Sequence, residues 1–121
     1  MKKLLLKIFL ILLIPFNLYA INIENTYWEY KEVTYGITEY YGFYDGNVYN
    51  IWDGQAHLWK NRPSSFAYYT NDFSLMYQTL MGSTATIYSF FNKKKAYQFG
   101  NLYLVIPWYL EYDLKCLGTL K

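Results

Sequence analysis

A turn signal interrupts this chain about every ten residues, and runs of β-branched and aromatic side chains lie between the turns. No stretch after the first 20 residues offers a long amphipathic helix with start and stop signals. The spacing predicts strands over Thr26–Val33, Ile37–Tyr44, Val48–Trp52, Phe66–Thr70, Leu75–Leu80, Thr84–Phe91, Ala96–Phe99, Leu102–Ile106 and Tyr109–Leu117. Asp45-Gly46 and Asp53-Gly54 are the sharpest turn signals, because glycine accepts the positive φ of a tight hairpin. Asn61-Arg62-Pro63-Ser64-Ser65 reads as the longest loop, and Gly100-Asn101 as a further turn. Many sequential strands with short connections predict an all-β, antiparallel up-and-down meander barrel of about eight strands. A two-sheet β-sandwich is the alternative.

Ahead of these strands, Lys2-Lys3, the apolar run Ile8–Ile14, Pro15 and the small Ala20 have the form of a secretory signal peptide. The run is too short for a spanning helix, which needs about 20 residues. The expected organisation is a signal over residues 1–20 and one domain over 21–121, periplasmic or secreted, with no membrane span after cleavage. Without the three lysines of the leader, eight basic residues face nine acidic ones. So near-neutral a domain is not an electrostatic nucleic-acid binder.

Catalytic chemistry finds little support. His57 is the only histidine and Cys116 the only cysteine, so no structural or catalytic zinc set can be assembled, and no cofactor is expected. Nor can Cys116 form an internal disulfide, so stability must come from packing. Strand alternation puts Leu110, Tyr112, Leu114 and Cys116 on one face and Glu111, Asp113 and Lys115 on the other. Cys116 is therefore expected to be buried and inert, away from Asp113. The competing reading of residues 108–120 is a helix stopped by Gly118. Asp45 and Asp53 could be paired as acid and base, but turn chemistry alone explains both. Lys93-Lys94-Lys95 reads as a solvated turn, and the chain as a non-enzyme.

The aromatics carry the question of function. Residues 21–121 hold 25 of them, 15 being tyrosine. Tyrosine joins a large apolar body to a polar tip, which suits cavities and interfaces. Trp28 on the first strand is followed by Phe43-Tyr44-Asp45-Gly46-Asn47-Val48 and later by Gly100-Asn101-Leu102-Tyr103-Leu104. This order resembles the small bacterial lipocalin-like (calycin) domains. They carry a first-strand tryptophan, a Phe-x-Asp-Gly hairpin and a late Gly-polar-Leu-x-Leu strand. Thr26 stands where those domains usually have a glycine, and their late arginine has no clear match. The resemblance implies an eight-stranded barrel with one open mouth for a small apolar ligand, and a core-plugging role for Trp28.

Two expectations follow. In the first, an aromatic-lined barrel binds a small apolar or aromatic molecule, with Trp28, Tyr30, Tyr41, Phe43, Tyr88, Phe90 and Tyr112 as its wall. In the second, Tyr40, Tyr44, Tyr49, Trp52 and Trp59 form an exposed patch that meets an envelope protein partner. An open cavity above about 300 Å³ favours the first reading, and a filled interior moves the weight to surface recognition.

Overall fold

The structure, a computed structural model, describes residues 22–59 and 65–121. The expected signal at 1–20 and most of the Asn61–Ser65 loop lie outside the described residues. Within them the chain is all-β: β1 (Thr26–Glu32), β2 (Thr38–Tyr44), β3 (Asn47–Trp52), β4 (Gln55–Leu58), β5 (Ser65–Tyr69), β6 (Phe73–Leu80), β7 (Ser83–Phe90), β8 (Lys95–Leu102) and β9 (Ile106–Thr119). Every pairing is antiparallel. The order β4-β3-β2-β1-β9-β8-β7-β6-β5 is a meander brought round so that β1 joins β9. It forms one strongly curled sheet, a half-barrel, and not a sandwich.

The ring is open between β4 and β5, where no ladder runs among the described residues. Side chains cross the opening instead. Tyr69 Oη donates to Glu24 Oε2 at 2.6 Å and accepts from the Gly46 N–H at 2.7 Å, while Glu24 Oε1 accepts from the Asp45 N–H at 2.7 Å. One phenol and one carboxylate thus tie the segment just ahead of β1 and the β2–β3 turn to the end of β5.

Asp45-Gly46, Asp53-Gly54 and Met81-Gly82 all form tight two-residue turns with positive φ. The predicted turn at Gly100-Asn101 is absent, because both residues continue β8. The chain reverses at Tyr103-Leu104-Val105, closed by the Val105 N–H donating to Leu102 O at 3.1 Å. Pro107 sits second in β9 and does not break it, and residues 108–120 are not helical.

The concave side is packed with rings. Trp28, Tyr30, Phe43, Phe91, Ile23 and Met76 are fully buried. Trp28 and Phe91 meet edge-on at 4.8 Å between centroids, as do Phe43 and Phe91 at 5.3 Å and Tyr30 and Tyr41 at 4.7 Å. Edge-to-face pairs of this kind are worth about 0.5–1.5 kcal/mol each beyond their burial. Trp28 Nε1 donates to Thr26 Oγ1 at 2.9 Å, so burying the indole leaves no orphan donor.

Two expectations about facing are corrected. Cys116 stands opposite Trp28 but is exposed, not buried. The pairing shifts by one residue between Tyr27 and Trp28, leaving Leu117 as an extra residue on β9. A bulge of this kind increases the local twist of the strand. Tyr88 and Phe90 face outward, because Ile87 and Ser89 take the concave positions on β7. At Ser89 a small side chain fits where Tyr30 already fills the space, with its hydroxyl 2.6 Å from Ser89 Oγ.

Candidate functional site

Of the seven proposed wall residues, five come together. Trp28, Tyr30, Tyr41, Phe43 and Tyr112 share the concave face and are all nearly or wholly buried. Tyr41 Oη donates to Glu39 Oε2 at 2.6 Å, and Tyr112 Oη donates to Gln98 Oε1 at 2.5 Å. Burial raises the Tyr30, Tyr41 and Tyr112 hydroxyls well above the ordinary tyrosine value; Ser89 and Ser74 pull Tyr30 partly back, whereas Glu39 adds to the rise at all three. These rings occupy one another's faces, so they act as the plug of the half-barrel.

Open space lies further along the same face. The β1–β9 ladder ends at Glu32 opposite Tyr112, and Ile106–Leu110 run on paired with β8. Strands β6 to β9 therefore project beyond the core. Their concave side forms an open apolar groove of about 390 Å³, lined by Gln78, Leu80, Ser83, Thr84, Ala85, Leu102 and Trp108. Gly100 faces Trp108 across the ladder. A Cβ at Gly100 would overlap the indole of Trp108 and the carbonyl of Thr84. The missing side chain lets the indole lie against the sheet as a floor. Sequence reasoning took Gly100 for a turn and so missed this pair; its signal was a glycine inside an otherwise regular alternation.

The five proposed patch residues are not gathered on one face. Tyr40 and Trp52 are exposed. Trp52 has the same strand parity as the buried Val48, whereas Tyr49 has the opposite one. Trp59 packs against the core. Tyr44 and Tyr49 border a small groove with Ala56, Leu120 and Lys121, and the Lys121 ammonium lies 4.5 Å from the Tyr44 ring centre. His57 stacks on Trp52 at 3.5 Å, its Nε2 buried without a hydrogen-bond partner among the described residues.

A larger aromatic surface lies on the convex side. Phe73, Tyr88, Phe90, Tyr97, Phe99 and Tyr109 form a chain of ring contacts 5.2–6.4 Å apart across β6 to β9. Thr86, Tyr88, Phe90, Tyr97 and Phe99 line a shallow groove of about 510 Å³ there. At its charged margin Lys95 pairs with Asp113, and with Glu111 at 3.6 Å.

Among the described residues no three His, Cys, Asp or Glu side chains cluster to hold a metal ion, and no helix is long and apolar enough to cross a membrane. No known protein family, curated protein or solved structure matches the chain.

Proposed function

We propose that this is an exported, non-catalytic, lipocalin-like protein that binds a small apolar or aromatic molecule in the groove floored by Trp108. The groove itself carries the reading. Its volume falls within the ordinary range of ligand sites, and it joins apolar walls, Leu80, Ala85 and Leu102, to a few polar groups, Gln78, Ser83 and Thr84. An indole held flat by a facing glycine is a rigid platform that loses little entropy when a ligand stacks on it. The ring-filled interior serves as the foundation, and the binding place moves from the barrel centre to the projecting strands.

Titration with N-phenyl-1-naphthylamine tests this. Saturable binding is expected, weakened about tenfold by Trp108→Ala, a change of about 1.4 kcal/mol. Tyr88→Ser on the convex face should leave it unchanged. No saturable binding, or equal loss in both variants, defeats the reading.

A second reading has its own observation. The convex aromatic chain of β6–β9 is the sort of surface that meets a partner protein. Tyr88→Ser combined with Phe99→Ser should abolish capture of an envelope partner while leaving dye binding intact.

A further inference from the structure

We infer that the tips of the β6–β7 and β8–β9 hairpins dock the protein onto a lipid bilayer. The inference stands on the tips themselves and does not require the groove to bind a ligand.

Both tips lie at the end of the strands that project past the core. Leu80, Met81, Tyr103, Leu104, Val105 and Ile106 are all exposed there, Met81 at 88% and Val105 at 78%. They form one surface: a Cβ placed on Gly82 would stand 3.2 Å from Cδ1 of Tyr103. Single exposed apolar residues are ordinary, but a contiguous apolar end is not.

The turns of this chain provide an internal comparison. Asp45 and Asp53 occupy left-handed backbone at φ 48° and 52°, with a short polar side chain that suits water. Met81, Tyr103 and Leu104 adopt the same backbone at φ 48°, 52° and 61°. Two apolar residues in succession at a left-handed tip have no local hydrogen bond to offer in exchange. Their chemistry fits surroundings that are themselves apolar.

The charge pattern selects the partner. No charged residue occurs between Phe73 and Asn92, or between Ala96 and Leu110. Those stretches cover β6, β7, most of β8 and the projecting part of β9. Charge returns at Lys93, Lys94 and Lys95, at the far end of β7 and β8 from the tips, and at Glu111 and Asp113 where β9 rejoins the core. An uncharged apolar tip with its charges held back matches hydrocarbon beneath a headgroup layer. Tyr103 adds a ring of the type that settles at the interface.

The full purified protein is mixed with vesicles of phosphatidylcholine alone, or of phosphatidylcholine with phosphatidylglycerol, and floated at low and high salt. Binding to the neutral vesicles, retained at high salt, is expected. Leu104→Ser with Val105→Ser should lower it about tenfold or more. These positions are exposed, and far-UV circular dichroism checks the fold. A second measurement needs no loss of binding: in Tyr103→Trp, brominated acyl chains should quench the new tryptophan. Several results overturn the proposal: no flotation, equal flotation of the serine variant, no quenching in Tyr103→Trp, or flotation only on anionic vesicles and abolished by salt, which would assign the binding to lysines. A tip-dependent dimer that does not float overturns it in favour of a second copy. Naphthylamine binding without vesicles reports the groove separately, so the two readings fail independently.

Discussion

The indole of Trp108 occupies the space that a side chain at Gly100, its register partner, would need. Gly100→Ala therefore forces the indole off the sheet or the strands apart. Overpacking of this kind costs about 1–3 kcal/mol, read as a lower urea midpoint. Gly46→Ala is the contrast. It meets open space at φ 78°, so only left-handed strain opposes it, about 1–2 kcal/mol. The two variants cost similar free energy, but only Gly100→Ala should shift tryptophan emission and weaken naphthylamine binding.

Tyr30, Tyr41 and Tyr112 make stability fall at high pH. Their hydroxyls are raised in the folded chain, first by burial. In the unfolded chain they ionise near pH 10, as tyrosine normally does. Below that pH the stabilising effect is fully present. It is lost as pH rises beyond it towards the folded values. Urea midpoints measured from pH 8 to pH 12 should drop steeply above about pH 10, and less steeply in Tyr30→Phe. At neutral pH the same variant leaves Ser89 without its partner, at a cost of about 1–3 kcal/mol.

Glu32 acts at the other end of the scale. Its buried carboxylate accepts from the Thr34 N–H at 2.8 Å and from the Tyr35 N–H, pinning the β1–β2 turn. Burial works to raise its pKa, but the backbone donors outweigh it and hold the carboxyl below the ordinary value. The contribution is therefore present above the ordinary glutamate range and lost as pH falls through the depressed folded value. Glu32→Gln should flatten the acid limb of the stability curve. An unchanged acid limb would show that the turn does not depend on this carboxylate.

Cys116 is exposed on β9, so the native protein should present one fast-reacting thiol to an aromatic disulfide reagent. Reaction only after unfolding would mean that Cys116 is covered in the native protein, as the alternation of β9 predicts.

The periodic runs and turns contained most of the architecture. Asp45-Gly46 and Asp53-Gly54 identified their hairpins because a positive φ is a local demand that a residue type answers by itself. The inward row of Trp28 and Tyr30, and that of Tyr112 and Leu114, followed from the period of two. Pairing between strands was not local. Tyr88 and Phe90 satisfy β propensity on either face, and only the bulk of Tyr30 opposite Ser89 decided that they point outward. Gly100 carried two meanings, a turn or a gap beneath an aromatic ring, and Trp108 settled which one applied by lying across it. Cys116 keeps its place in the alternation, opposite Trp28, yet lies exposed just before the one-residue shift at Leu117. What the sequence determined alone was the alternation and most of its turns. The tertiary structure decided which face each strand gives to the core, because side-chain volume must be shared among strands distant in the chain.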